Sequence, residues 1–480
     1  MGSYRELLLP AAVIAGAIVF LAMQHWKTGL KVVFVFILFE GAVRKWILPG
    51  AADLVYFIKD VILIGVYLGF WTRGMALRRS LDWTKIPIPV FKVTLLPLAI
   101  LAFNPNVGSV SAGLLGARGY FFYLPIFFIV PFIFNSKQDM LRQLSVYALL
   151  AIPVCLLGVL QSRSDSFSVL NTYASGTSEW GASTFGGGQG RVRVTGTFSY
   201  LSGHVVFVSV FFALTLALIT NPSVQYRKLL TYVSLPLLVG NAFMSGSRAA
   251  FLAIAVIAVG FTLTKMGALS AAGKKQAVRT TVAIAFAGVA LAGYFFYDAV
   301  DALYQRSQRS RDSVKIRLVD STIHHIDVAW EHGGVLGAGL GTTSPAVRAL
   351  RRRLRLPEPQ YSAGFYDMEI GQVLAEGGLA GFSFWYCFRI SVLLAIGGIY
   401  RSCRDEQLRT FALATLLLSF PFMVQSLVFN HVACVLLWGM AGVSLAAMHW
   451  SVHCSPEPLA ATKQSASKSE GSHNQPLMQG

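Results

Sequence analysis

Four arginines in this chain are placed to do chemistry on an anion. They are Arg191, Arg193 and Arg248, which stand within a few residues of a long apolar stretch or beside Gly and Ser, and Arg317, in the long segment 298–367. A guanidinium presents a planar fork of donors that grips phosphate oxygens in pairs, and small neighbours let backbone approach a ligand closely. Arg248 follows Ser245, Gly246 and Ser247 and opens a long apolar helix, with no carboxylate near it in sequence. A helix start with small polar residues suits an anion. It equally suits a capped helix with a snorkelling arginine.

Carboxylates supply the second ingredient. GFYDMEIGQVLAEGGLAG, beginning at 364, places Asp367, Glu369 and Glu376 at the mouth of, or inside, an apolar helix. Acids at such depth mark functional sites by default. Asp367 and Glu369 are two apart and do not share a helix face, so one can act as a base while the other pairs with arginine. Neutralising nearby arginines is the alternative role for both. Lys59 and Asp60, inside another apolar stretch, pair with each other on this reading. VLGAGLGTTSP at 335–345 is rich in glycine, yet no Gly-Lys-Ser/Thr follows it, which disfavours a nucleotide site. His324, His325 and His332 with Asp327 and Glu331 could hold a metal, but their spacing matches no metal motif, and a solvated helix is the ordinary reading. His204 and His431, near helix ends, read as packing groups. No metal or cofactor is expected.

These residues must be positioned by helices in a bilayer. Of 480 residues, 55% are hydrophobic and 13% charged, and the mean hydropathy is +0.58. Soluble domains carry roughly 25% charged residues. Apolar stretches fall near 7–24, 30–46, 54–72, 86–103, 118–134, 142–160, 197–219, 229–245, 247–264, 280–297, 368–399, 409–429 and 431–449. At about 20 residues per crossing, they predict an all-α polytopic membrane protein with about 12–13 transmembrane helices. The second stretch, carrying Glu40, Arg44 and Lys45, is the one that could instead be short or interfacial.

Basic residues set the orientation, because Lys and Arg stay in cytoplasmic loops. Arg73, Arg78, Arg79 and Lys85 mark one such loop. Counting helices from it puts Lys137 and Arg142, Arg227 and Lys228, Lys265 to Arg279, Arg401 to Arg409, and the C-terminus on the same side. The opposite side receives 44–53, 104–117, 161–196, 245–248 and 298–367. The organisation expected is N-terminal helices over 1–160, an outer loop over 161–196 and central helices with the Ser-Arg motif over 197–297. A large, partly helical outer subdomain follows over 298–367, then C-terminal helices over 368–450 and a disordered cytoplasmic tail over 451–480. RRRLR at 351–355 reads as a solvated helix face or a contact with anionic lipid. The net charge of +18 is accounted for in part by cytoplasmic loops on anionic lipid. No basic domain stands apart from the apolar stretches, so nucleic acid is not an expected partner. None of the five cysteines has CxxC spacing.

MSGSRAAFLA, RVRVTGTFSYLSGH, HHIDVAWEHGGVLGAGLGT and QVLAEGGLAG together resemble the O-antigen ligase and O-antigen polymerase superfamily of bacterial membrane glycosyltransferases. The likeness covers roughly residues 190–400 in order, and the earlier helices are similar only in hydropathy. It implies a multi-helix, GT-C-like membrane glycosyltransferase fold in the bacterial inner membrane, with its site facing the periplasm. It also implies a metal-independent reaction that takes an oligosaccharide from undecaprenyl diphosphate to an acceptor hydroxyl on a glycan or glycolipid. By this resemblance Arg191 or Arg193 and Arg248 hold the pyrophosphate. Ligases of the family resemble one another in a His-Asn before the leucine-x-x-x-Glu-x-Gly stretch. Asp367 stands about where that His would be, which points to a repeat-unit polymerase for O-antigen or exopolysaccharide with Asp367 or Glu369 as base. The alternatives are an O-antigen ligase acting on lipid A core, a flippase or transporter, and a partner that recruits other polysaccharide assembly proteins.

Overall fold

The computed structural model describes residues 2–74, 81, 83–174, 182–184, 192–267, 334–359, 369–425 and 427–453. The expected site residues Arg191, Arg317 and Asp367, the three histidines between 324 and 332, the apolar stretch 280–297 and the tail lie outside them. Among the described residues every regular element is helical, and the one β-bridge, Thr184 to Val192, is isolated.

The elements are α1 (Gly2–Gln24), α2 (Trp26–Ala42), α3 (Ala52–Arg73), α4 (Ile88–Ile100), α5 (Val110–Phe121), α6 (Pro125–Ile129), α7 (Lys137–Leu149) and α8 (Ala151–Arg163). They continue with α9 (Leu201–Ile219), α10 (Leu235–Met244), α11 (Arg248–Gly267), α12 (Pro345–Leu354), α13 (Glu369–Ser402), α14 (Glu406–Phe422) and α15 (His431–His453). Five segments are long and apolar enough to cross a membrane: Pro49–Arg73, Lys137–Arg163, Leu201–Ile219, Glu369–Ser402 and His431–Val452. A sixth arises if α5 and the segment Pro125–Ile133, bent by 42°, count as one. The other apolar stretches in the described residues are also helical, and proline or π-helical turns interrupt several of them. Pro97 lies inside α4 and Pro421 inside α14, and a proline removes one helical hydrogen bond and crowds the preceding turn. π-turns follow α2 at Val43–Ile47 and precede α10 at Leu230–Ser234.

α9 and α15 form the centre, buried along most of their length. Around them the charged loops sort to one end. Arg73 donates to the Gln24 carbonyl at 2.9 Å, Lys27 to Asn135 at 3.2 Å, Lys137 pairs with Asp405, and Thr410 donates to the Ala217 carbonyl at 3.3 Å. Asp405 also caps α14, accepting from the Gln407 amide at 2.8 Å.

Two departures from the sequence expectation reshape the opposite end. Residues 104–117, expected as a loop, are helical from Val110 onward. Gly113, Gly116 and Gly119 recur along α5, and a Cβ on them would strike the backbones of Ala102, Gly341 and Val428 respectively. The missing side chains let three chain segments lie against one helix. The second departure is in α13, expected as a single span. Trp385 Nε1 donates to Glu369 Oε1 at 2.9 Å, although 16 residues of straight helix would separate them by about 24 Å. Gly378, at φ 60° and ψ −162°, lies in backbone space open to glycine. There a nine-residue arm, 369–377, folds back on the long part of α13. The glycine loop clips the reversal in place: Ala338 and Gly339 amides donate to the Ala375 and Glu376 carbonyls at 2.9 and 2.8 Å, and the Ala380 amide to Val335 at 3.0 Å.

Gly116→Ala is expected to destabilise the protein by about 1–3 kcal/mol, the usual magnitude of overpacking. Gly50→Ala, where a Cβ meets nothing within 4 Å, should leave the melting temperature in detergent unchanged. Equal melting of both variants would contradict the close approach at α5.

Candidate functional site

Charged side chains that an apolar bundle would ordinarily exclude collect at the end bearing the α2–α3 turn. Glu40, on the last turn of α2, is 1% exposed. It forms ion pairs with Lys59 at 3.1 Å and Arg44 at 3.7 Å, and His431 Nε2 lies 3.3 Å away. Asp60 takes Arg118 at 2.5 Å and the Tyr123 hydroxyl at 2.7 Å. Arg118 donates to Tyr123 at 2.6 Å and to Tyr56 at 3.0 Å, with its guanidinium 4.9 Å from the Tyr56 ring centre. Lys59 and Asp60 therefore do not pair with each other, contrary to the sequence expectation. Adjacent helical residues point some 100° apart, so each finds a partner on a different helix.

Arg44 and Lys45 extend the cluster to the segment before α9. Arg44 donates to Ser199 and to the Ala52 carbonyl, both at 3.0 Å. The Lys45 ammonium donates to the Gly196 carbonyl at 2.8 Å and to Thr195 Oγ1 at 3.2 Å. Both partners are neutral. Three cationic side chains (Arg44, Lys59, Arg118) thus share two carboxylates (Glu40, Asp60) among the described residues, and beside them stands Lys45, whose ammonium pKa burial pushes down to about 7. Isolated buried charge is costly, so an uneven cluster of this kind has room for an anion.

Val192–Ser199 carries the second half of the site. The Val194 amide donates to the Met244 carbonyl at 3.2 Å. Arg193 Nε donates to the Ser245 carbonyl at 3.1 Å and its Nη2 to the Gly246 carbonyl at 3.4 Å. Gly246 is left-handed at φ 59°, which turns the chain sharply into α11 and sets Arg248 at its first residue. Two motifs about fifty residues apart in sequence are therefore one structure, with Arg193 bracing the turn that presents Arg248. Both arginines are partly exposed. No protein-family model matches this chain, and no curated protein matches it.

The arm of α13 meets the same end. Glu369 is 0% exposed. Its carboxylate accepts from Trp385 Nε1 and pairs with Arg389 through one oxygen, and accepts the Leu427 and Val428 amides through the other. A carboxylate has about four lone-pair sites, and here all four are occupied. Of the two carboxylates expected to provide a base, Glu369 takes the pairing role, with an arginine of its own helix rather than one from the outer loops. Its other ties fix residues 427–428, three residues before His431. Glu376, also fully buried, accepts from Tyr120 at 3.0 Å and from the Thr343 amide and hydroxyl at 3.1 and 2.7 Å. It anchors the glycine loop.

The RRRLR segment divides. Arg351 is buried and donates to the Val107 carbonyl at 2.6 Å and to Pro357, so it packs rather than meeting solvent or lipid. Arg352, Arg353 and Arg355 are exposed, and Arg353 pairs with Asp53 at 2.9 Å on the surface. His204 is buried between Phe198 and Phe207, with ring centres 6.0 and 5.9 Å away. Sequence reasoning left Glu40, Lys59, Asp60, Tyr56 and Tyr123 outside the candidate site. The available signal was charge within apolar stretches: Glu40 and Arg44 four apart on one helix face, and a Lys-Asp pair inside α3.

Removing one buried carboxylate strands its cationic partner, which typically costs about 3–5 kcal/mol. Glu40→Gln and Glu369→Gln should each lower the thermal midpoint of the purified protein substantially. Asp53→Asn, whose partner is exposed, should shift it little. Similar midpoints for all three variants would contradict the buried pairing.

Proposed function

We propose that this chain is a membrane glycosyltransferase that uses an undecaprenyl-diphosphate-linked oligosaccharide, and that it acts as a repeat-unit polymerase for O-antigen or exopolysaccharide. Its site would face the periplasm from a bacterial inner membrane, in a GT-C-like arrangement of about 12–13 transmembrane helices. The observation that carries the reading is the gathering of cationic side chains, in excess of carboxylates, at the end of the bundle where the Arg193 and Arg248 motifs join. A diphosphate leaving group needs that environment, and its developing charge is stabilised by preorganised donors. The resemblance of these motifs to the ligase and polymerase superfamily supports the same assignment.

The chemistry follows from these parts. The acceptor hydroxyl oxygen attacks the anomeric carbon, the bond from that carbon to the diphosphate oxygen breaks, and the carrier diphosphate leaves with the electron pair. Asp367 takes the hydroxyl proton as general base, a role burial would favour by raising its pKa. Arg193 and Arg248 hold the diphosphate, and Arg191 and Arg317 are the further residues assigned to it. No metal or nucleotide enters the reaction.

Arg248→Lys keeps the charge but loses the fork. It should lower polymerisation of a lipid-linked repeat unit by about a hundredfold at unchanged protein level in the membrane, read from the banding of surface glycan. Normal long-chain banding in both Arg248→Lys and Arg248→Ala strains would overturn the proposal. Full-length polymer stranded on its carrier in a deletion strain would assign the ligase reaction instead.

A further inference from the structure

At the end of the bundle opposite the cationic cluster, α2, α7, α9 and α15 enclose a cavity of about 420 Å³. Its wall is apolar, formed by Phe34, Leu214, Met440 and Val443, with Tyr147 turned so that its hydroxyl is spent on the Phe34 carbonyl at 3.0 Å. Gly439 makes the space: a Cβ there would press on the Phe34 ring. The cavity opens sideways rather than along the bundle, past Val35 and Val146, which are 43% and 48% exposed. Beside the mouth α2 exposes Val32 and Val35, and α7 exposes Gln138, Arg142 and Val146, so the apolar part of that surface lies on α2 and at the end of α7 near Val146.

The rim carries two cations and one acid. Lys31 and Arg142 line it, and neither has a carboxylate within ion-pair distance among the described residues. The one acid on the rim, Asp139, accepts the Asn135 amide at 2.9 Å and Gln143 Nε2 at 2.7 Å and also feels the charge of Lys31 and Arg142, which leaves the rim one net positive charge. Lys27 adds a third cation nearby through Asn135.

We infer that this cavity binds one molecule of an anionic bilayer phospholipid, with an acyl chain in the apolar chamber and the phosphate between Lys31 and Arg142. The volume falls in the range of small-molecule pockets, roughly 300–1,000 Å³, and suits a single acyl chain. A polyprenyl chain several times longer would overfill it. Apolar filling gives no preference among lipids, since every lipid has an acyl chain, so selectivity must come from the rim. One net positive charge near a headgroup predicts a preference of roughly fivefold for an anionic over a zwitterionic lipid. This site is independent of the glycosyltransferase reading, and its occupancy is measured without any sugar substrate.

The test uses the full chain in nanodiscs holding equal amounts of phosphatidylglycerol and phosphatidylcholine, with retained lipid counted by native mass spectrometry after release. The wild type should retain one phosphatidylglycerol, with the preference above. Lys31→Glu combined with Arg142→Glu should abolish that preference. Val146→Trp, at the lipid-facing mouth where no core packing is disturbed, should lower retention of both lipids while melting as the wild type does. Equal retention of the two lipids by the wild type, or unchanged preference in the charge-reversed variant, would overturn the inference. So would recovery of a polyprenyl phosphate, instead of phospholipid, from protein extracted from native membranes.

Discussion

Charge that has been taken into an apolar bundle has to find a partner, and the architecture of one end of this protein follows from that requirement. Glu40 is the centre of it. One carboxylate receives Lys59 from α3, Arg44 from its own helix and His431 from the start of α15. Three elements distant in sequence are thereby tied at one point. Asp60 repeats the device with Arg118 from α5, whose two terminal nitrogens also donate to the hydroxyls of Tyr56 and Tyr123. Weak in water, such pairs gain strength where the dielectric is low, and the loss of either partner is correspondingly severe.

A second constraint is close approach of backbone. The arm of α13 folds back at Gly378, the glycine loop lies across the reversal, and α5 lies beneath with glycine at each point of contact. Here two buried carboxylates serve as fasteners rather than reagents. Glu369 ties the arm to residues 427–428, and Glu376 ties it to Thr343. Since residue 428 also touches α5 and precedes His431 by three, the fold-back and the charge cluster are mechanically continuous. The segment carrying Asp367 joins the arm at its first residue in the chain.

The two ends of the bundle differ in kind. One gathers buried charge with aromatic and backbone partners, and presents arginines braced by carbonyl groups. The other has paired, partly exposed loops and a lateral apolar chamber with a basic rim.

The all-helical class was legible in the sequence, because apolar stretches of membrane length leave few other structures. So was the special character of Arg193, Arg248 and Glu369, since charge beside small residues or inside apolar runs is conspicuous. What the sequence could not decide is which charges meet. Lys59 and Asp60 are neighbours in the chain, yet helical geometry sends them to different partners. Glu369 and Arg389 lie on one helix by sequence, at a separation of about 30 Å if straight, yet a single left-handed glycine brings them together. Helical periodicity and apolar length act locally and are written in the residues. Ion pairing across helices, and the reversal that frees or occupies a carboxylate, depend on the packing of the whole bundle, and only the tertiary structure decided them.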